Sequence, residues 1–122
     1  MLRGWRVLVV EDDSMIAWAL CDALEDVGAW PVGPAASVAD AISIMSCESV
    51  DAAILDITLA TEDTSVLAHR FLDVSLPFLF YTGTSSPTFS DARLANVPLL
   101  QKPVDAARVV RRLAETIGPE SE

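Results

Sequence analysis

The sequence predicts an α/β domain built on a parallel sheet with helices on both faces. Short apolar runs rich in β-branched residues alternate along the chain with segments whose apolar residues recur at helical spacing. The runs are nearly continuous in apolar residues, as strands are when both faces of a sheet are covered. The chain has 122 residues, the length of one domain. We therefore expect a single domain over residues 1–122, with a core at about residues 5–117, a polar tail at 118–122 and no output domain.

The first part of the chain contains two strand-helix units. Residues 5–10 are a β-branched run, and the helix that follows has Ser14 as its candidate N-cap and Gly28 as its stop. Residues 30–32 are a shorter apolar run, and the segment 37–40 has the residue order of a capping box. The helical faces consist of Ile16, Leu20, Leu24 and Val27 in the first unit, and Val38, Ile42 and Met45 in the second.

The second part of the chain continues the alternation. Residues 52–57, 77–81 and 97–100 are the third, fourth and fifth apolar runs. The helical signal at 91–95 is brief and follows serines and a proline, which predicts a short fourth helix. The third helix has an apolar face of Leu67, Ala68, Phe71 and Leu72. The last, at about 104–117, has Val109, Val110, Leu113 and Ile117 inward and Arg108, Arg111 and Arg112 outward.

The charge balance restricts the expected partners. Eighteen Asp and Glu residues against eight Lys and Arg residues give a formal net charge of −10. This charge opposes direct binding to nucleic acid or to an anionic membrane, and no uncharged stretch reaches the ~20 residues of a membrane span. We interpret Cys21 and Cys47 as buried small hydrophobic residues rather than a disulfide or a metal pair. The expected location is the reducing cytoplasm.

Polar side chains follow the predicted strands at the points where the strands end. The carboxyl ends of parallel strands meet at one edge of a sheet, where α/β proteins bind their ligands. We therefore expect these residues to form one site. They are Glu11, Asp12 and Asp13 after the first strand, Asp56 at the end of the third, Thr82 and Gly83 after the fourth, and Lys102 after the fifth.

The chemistry of this set favours a hard metal ion and a phosphoryl group. Crowded carboxylates repel one another unless a cation intervenes, and Mg²⁺ prefers oxygen ligands. Asp56 follows an apolar run, and a carboxylate can accept a phosphoryl group as an aspartyl phosphate. Lys102, the only lysine in the chain, can pair with a phosphate oxygen. The Thr82 hydroxyl can donate to the same phosphate, and Gly83 leaves room beside it.

The ordered motifs resemble those of a known family. The segments VLVVEDD, ILD, YTG and LQKP, on alternating strands and helices, resemble the receiver domains of bacterial two-component response regulators over about residues 5–117. The resemblance implies a flavodoxin-like (βα)5 three-layer sandwich with a five-stranded parallel sheet in the order 2-1-3-4-5.

The resemblance also implies a role for each site residue. Asp56 is the expected phosphoacceptor and belongs to the metal site. Asp12 is the expected direct carboxylate ligand of Mg²⁺, Glu11 acts largely through a bound water, and the Thr58 backbone carbonyl completes the protein ligands. The residues expected to sense the phosphoryl group are Thr82, Gly83 and Lys102, and the Lys102-Pro103 peptide bond is expected to be cis.

By the same resemblance, the function is a phosphorelay switch. The phosphoryl donor is a sensor histidine kinase or a histidine phosphotransfer protein, and the output is an unidentified downstream protein target. No direct nucleic-acid or membrane partner is expected, and homodimer formation stays open. The domain is not expected to be an enzyme beyond self-catalysed phosphotransfer and slow autodephosphorylation.

Departures from the family pattern keep alternatives open. Leu99 stands where the family commonly has a switching aromatic residue, and the segment 57–63 lacks the usual proline and glycine. A phosphate-independent pseudo-receiver is one alternative. A Mg²⁺ phosphohydrolase of the haloacid dehalogenase type is another, although its motif requires an aspartate where Thr58 stands. Each site residue, taken alone, also has an ordinary structural interpretation. The acids at 11–13 could favour the start of a helix, Thr82 could be a turn residue, and Lys102 could be a surface lysine.

Overall fold

The structure is a computed structural model, and it describes residues 2–60, 62–84, 87, 89 and 91–117. Strands alternate with helices along the chain, as the apolar pattern predicts. In order, the elements are β1 (Arg6–Val10), α1 (Ser14–Asp26), β2 (Trp30–Ala35), α2 (Val38–Cys47), β3 (Ala52–Leu55), β4 (Thr58–Leu59), β5 (Glu62–Asp63), α3 (Ser65–Asp73), β6 (Phe78–Thr82), a 3₁₀ helix (Ala92–Asn96), β7 (Leu99–Gln101) and α4 (Ala106–Ile117).

The central sheet is parallel and has the strand order β2-β1-β3-β6-β7. The remaining two strands, β4 and β5, form a separate antiparallel hairpin. Without the hairpin, the order along the sheet is 2-1-3-4-5, so the predicted α/β fold and topology are confirmed. Every residue of β3 and β6 is buried, which explains why these strands are continuous apolar runs in the sequence.

Two apolar cores lie on opposite faces of the sheet. Successive side chains of a strand point to opposite faces, so that Val7 and Val9 of β1 belong to one core and Leu8 and Val10 to the other. Helices α1 and α4 cover the first core, and α2, α3 and the 3₁₀ helix cover the second. The sheet thus lies between two helical layers, and its carboxyl edge carries the polar residues.

The start of α1 differs from the prediction. The N-cap is Asp13, whose Oδ1 accepts hydrogen bonds from the backbone N–H groups of Met15 at 3.0 Å and Ile16 at 3.3 Å. Ser14 is already helical, so its prediction as the cap is wrong. The predicted cap of α2 is confirmed, because the Ser37 hydroxyl accepts from the Asp40 N–H at 3.0 Å.

Several other boundaries shift. Strand β2 runs three residues beyond the predicted 30–32, the signal at 91–95 forms a 3₁₀ helix, and α4 begins two residues later than predicted. Cys47 is exposed and Cys21 half-buried, so the prediction of two buried cysteines is wrong. The predicted polar tail at 118–122 lies outside the described residues. Among the described helices, none has both the length and the hydrophobicity to cross a bilayer.

Candidate functional site

The carboxyl edge of the sheet brings three carboxylates together. Glu11 and Asp12 follow β1 directly, and Asp56 directly follows β3, the neighbouring strand. The backbone also ties the strands here, since the Asp56 N–H donates to the Val10 carbonyl at 3.1 Å. One carboxylate oxygen from each acid lies within 4.8 Å of the other two. Glu11 and Asp56 are buried and Asp12 is exposed, so the cluster is open to solvent on one side.

Lys102 supplies the positive charge of the cluster. Its Nζ lies 2.7 Å from Glu11 Oε1 and 2.9 Å from Asp56 Oδ2. The Lys102 backbone is fixed as well, because its N–H donates to the Thr82 carbonyl at 2.7 Å, and the Lys102-Pro103 peptide bond is cis. One ammonium against three carboxylates leaves an excess of negative charge that a divalent cation would neutralise.

Burial and ion pairing act in opposite directions on the ionisable groups. Burial raises the pKa of the Glu11 carboxyl, although hydrogen bonds from Lys102 and from the Asp13 N–H act to lower it. Burial alone would lower the pKa of the Lys102 ammonium, but its hydrogen bonds to Glu11 and Asp56 outweigh burial and the pKa is raised. Lys102 is therefore positively charged at neutral pH, between the carboxylates of Glu11 and Asp56.

Thr82 and Gly83 lie at the end of β6, beside β3. Thr82 is buried, and its Oγ1 accepts a hydrogen bond from the Thr84 N–H at 3.3 Å. Gly83 is exposed, and a Cβ built on it would meet no atom within 4 Å. Packing therefore does not require a glycine at this position, and a role for Gly83 beside Thr82 stays a prediction.

Thr58 lies in the hairpin that follows Asp56. Its N–H donates a long hydrogen bond of 3.4 Å to Asp56 Oδ1, which keeps this stretch of backbone next to the carboxylate. Thr58 pairs with Asp63 in the antiparallel ladder, and just outside the ladder the Thr64 N–H donates to the Ile57 carbonyl at 2.9 Å. The hairpin thus holds the backbone that follows Asp56, in a segment that contains neither proline nor glycine.

Thr64 supports the site, although no sequence pattern identifies it. Thr64 is fully buried, and its Oγ1 lies 2.6 Å from the Asp56 carbonyl and 2.8 Å from the Ile57 carbonyl, with its hydroxyl as the donor. The hydroxyl therefore fixes the backbone that carries the Asp56 carboxylate. A threonine among polar loop residues offers no periodic signal, so a single sequence could not reveal this role.

Replacing Thr64 by valine tests this support. The substitution keeps the shape of the side chain but leaves the buried Asp56 carbonyl without its hydroxyl donor, so we expect the free energy of unfolding to fall by about 1–3 kcal/mol. Urea denaturation measures the loss. Thr64→Ser retains the hydroxyl and should recover most of the stability. Equal stability of the valine variant and the wild type would contradict the assigned role.

The site residues fit a hard divalent cation. The donors are carboxylate oxygens, and within the part of the chain that the structure describes no histidine or cysteine joins the cluster. Carboxylate and backbone oxygens suit Mg²⁺ and other hard ions rather than softer metals. The buried pair of acids, the exposed Asp12 and the adjacent Lys102 thus offer a metal site with a neighbouring anchor for an anion.

Comparison with solved structures identifies the family. SdrG from Sphingomonas melonis Fr1 is 36% identical, with a TM-score of 0.79 and coverage of 96% of this chain and 99% of SdrG. SdrG in a BeF3-activated conformation matches with 34% identity and a TM-score of 0.74, over 96% of this chain and 98% of that one.

More distant structures agree. A putative response regulator from Chloroflexus aurantiacus is 26% identical, with a TM-score of 0.79, over 96% of this chain and all of that one. The receiver domain of the response regulator PhyR from Erythrobacter litoralis is 22% identical, with a TM-score of 0.83 over 94% of this chain and 91% of that one, and supports the fold alone. No protein-family model and no curated protein sequence matches the chain. From its fold and its likeness to SdrG over nearly the whole length of both, the chain belongs to the receiver domains of response regulators, the signalling modules of phosphorelays.

Proposed function

We propose that the domain is a phosphorelay switch that accepts a phosphoryl group on Asp56 in a Mg²⁺-dependent reaction. The donor is the phosphohistidine of a sensor histidine kinase or of a histidine phosphotransfer protein. The main support for this proposal is the environment of Asp56. This buried carboxylate lies in a cluster of three acids and 2.9 Å from the Lys102 ammonium.

Asp12 and Asp56 would hold Mg²⁺ directly, with Glu11 acting through a water and the Thr58 carbonyl as a further ligand. Asp12 is exposed and so open to a hydrated ion, and the Thr58 backbone already lies next to Asp56. When bound, Mg²⁺ neutralises charge on the carboxylates and on the transferring phosphoryl group. Every one of these ligands is an oxygen atom, as the chemistry of Mg²⁺ requires.

The transfer itself requires a nucleophile and two donors from the chain. A carboxylate oxygen of Asp56 forms a bond to phosphorus, and the P–N bond of the phosphohistidine breaks, leaving its electron pair on the imidazole nitrogen. The Lys102 ammonium then donates a hydrogen bond to a phosphoryl oxygen in place of the Asp56 carboxylate, and the Thr82 hydroxyl donates to another phosphoryl oxygen. Hydrolysis of the aspartyl phosphate by water returns the domain to its starting state slowly, and we propose no other turnover.

The similarity to SdrG supports this assignment. SdrG has been solved in a BeF3-activated conformation. Beryllium trifluoride bound to a carboxylate oxygen has the tetrahedral shape and charge of a phosphoryl group. A domain whose carboxylate accepts a phosphoryl group would be expected to be activated by such an anion. The activation of SdrG therefore supports the same role for the carboxylate of this similar domain.

The output of the switch is a changed surface read by a downstream protein target. A phosphoryl group adds roughly −1.5 to −2 charges to a site that already has excess negative charge. Thr82 ends β6 and Lys102 directly follows β7, the neighbouring strand, so redirecting both side chains toward the phosphoryl group would change the surface at this edge of the sheet. The cytoplasm, where such donors act, is the location that we propose.

The experiment that tests the proposal is incubation with acetyl phosphate, with and without Mg²⁺, followed by intact mass measurement. We expect one phosphoryl adduct per chain that forms only with Mg²⁺ and decays slowly. Rapid hydrolysis of a phosphoester substrate would instead favour a phosphohydrolase. Absence of any adduct would overturn the proposal in favour of a phosphate-independent interaction module.

Mg²⁺ binding should also appear as stabilisation of the fold. An ion that binds only the folded state raises the free energy of unfolding by about 2.7 kcal/mol at a concentration 100 times its Kd. We expect Asp12→Ala to lose most of this Mg²⁺ effect while changing the metal-free stability little, because Asp12 is exposed. Thermal unfolding across a Mg²⁺ titration measures both. An Asp12→Ala variant that responds to Mg²⁺ like the wild type would contradict the ligand assignment.

A further inference from the structure

Tyr81, the residue before Thr82 in β6, makes two hydrogen bonds to one backbone unit. Its hydroxyl donates to the Val104 carbonyl at 2.8 Å and accepts from the Val104 N–H at 3.1 Å. The ring is 5% exposed and belongs to the core beneath α1 and α4. A single side chain of β6 therefore holds the segment that follows β7.

The same side chain contacts Lys102. The Lys102 Nζ lies 5.7 Å from the centroid of the Tyr81 ring, within the range of a cation–π interaction. Val104 comes only two residues after Lys102, and the Lys102 N–H is bonded to the Thr82 carbonyl at 2.7 Å. Lys102 is thus held from three directions: by its own backbone, by the residue that Tyr81 anchors, and by the ring under its ammonium.

A lysine requires this kind of support if it is to act on a defined oxygen atom. Its ammonium is a compact charge on a flexible four-carbon chain, and ordering that chain costs entropy. Lys102 is partly exposed, with 18% of its side chain accessible, so its charged partners alone do not enclose it. A rigid, buried ring on the adjacent strand reduces the number of conformations that the lysine can adopt.

We propose that Tyr81 is a positioning residue for Lys102, tying the end of β6 to the segment after β7 so that the ammonium stays directed at Asp56. This inference deepens the proposed function and rests on it for its consequence in phosphotransfer. The alternative is a purely structural role, in which the hydroxyl only satisfies the polar groups of Val104.

The first test observes Lys102 directly. Because the chain has a single lysine, selective ¹³C,¹⁵N-lysine labelling gives one set of side-chain NMR signals, and these belong to Lys102. In the wild type we expect two distinct Hε shifts, as in an ordered side chain. In Tyr81→Phe, which keeps the ring and loses the hydroxyl, we expect the two shifts to converge.

The matched control is Thr116→Val. Thr116 also donates its hydroxyl to a backbone carbonyl, that of Arg112 at 2.9 Å, but it does so in α4. This variant loses a comparable hydrogen bond and should leave the Lys102 signals unchanged. Unchanged lysine signals in Tyr81→Phe, or equal changes in both variants, would overturn the proposal.

The second test is a double-mutant cycle on the rate of phosphorylation by acetyl phosphate at saturating Mg²⁺. Loss of the hydroxyl should lower the rate about five- to tenfold, the factor that corresponds to about one hydrogen bond. In a Lys102→Ala background the same substitution should have no further effect, because Tyr81 acts through Lys102. Effects that multiply independently would indicate a structural role and contradict the proposal.

The two proposals fail in different ways. A wild type that forms no adduct would refute phosphotransfer, while the lysine signals would still report whether Tyr81 orders Lys102. A wild type that is phosphorylated, with lysine signals and rate untouched by Tyr81→Phe, would refute the positioning role alone.

Discussion

Asp56→Asn is expected to remove the Mg²⁺-dependent phosphoryl adduct completely. The amide has nearly the shape of the carboxylate, so the fold should persist, but it lacks the anionic oxygen that bonds to phosphorus. It also removes one of the three charges that gather the metal ion. Intact mass after incubation with acetyl phosphate measures the loss, and circular dichroism checks that the variant is folded.

Asp13→Asn provides a matched control for Asp56→Asn. Asp13 lies beside the acid cluster and caps α1 through Oδ1, and asparagine caps helices equally well. The control therefore removes one neighbouring negative charge without removing a proposed ligand, and its adduct should form as in the wild type. An adduct that survives in Asp56→Asn, or disappears in Asp13→Asn, would show that the phosphoacceptor or the ligand set is wrongly assigned.

Lys102→Ala is expected to affect both stability and reactivity. Without the ammonium, the buried Glu11 and Asp56 carboxylates lie next to each other with no cation between them. We expect the free energy of unfolding in Mg²⁺-free buffer to fall by about 2–3 kcal/mol. This loss is smaller than for fully buried ion pairs because Lys102 is partly exposed. Mg²⁺ should restore much of that stability, since it supplies positive charge to the same acids. Urea denaturation with and without Mg²⁺ measures both effects.

Lys102→Ala should also be phosphorylated more slowly, even where Mg²⁺ restores its stability. Removing one donor to a developing anion typically lowers a rate by about 10²-fold or more. We expect a loss of about that size in the rate of adduct formation at saturating Mg²⁺. Lys102→Arg keeps the charge and should recover stability better than rate, because the planar guanidinium cannot occupy the position of a compact ammonium. A Lys102→Ala rate equal to that of the wild type would contradict the role of Lys102 in sensing the phosphoryl group.

Much of the fold follows from the apolar pattern. Strands β3 and β6 are buried along their whole lengths, so each leaves an unbroken apolar run in the sequence. Edge strand β2 is harder to predict, because exposed residues and two prolines interrupt its signal, and its real extent depends on pairing with β1. The hairpin β4-β5 is invisible to periodicity, since each of its strands has only two residues.

Some residues of the candidate site could likewise be predicted from the sequence, and others could not. Glu11, Asp56 and Lys102 could be predicted because a parallel sheet brings its strand ends together, whatever the details of packing. Thr64 and Tyr81 could not be predicted, because each acts through one hydroxyl whose partner is a backbone group chosen by tertiary packing. Tyr81 in particular looks in the sequence like the last apolar residue of a strand.

The central claim is that acids from β1 and β3 and the lysine after β7 together make Asp56 a site for a phosphoryl group beside Mg²⁺. A crystal structure grown with Mg²⁺ and beryllium trifluoride tests it most directly. We expect the anion on an Asp56 oxygen, the ion bound by the Asp12 and Asp56 carboxylates and the Thr58 carbonyl, and the Lys102 ammonium in contact with fluoride. Metal or anion bound elsewhere, or Lys102 directed away from Asp56 when both are present, would contradict the claim.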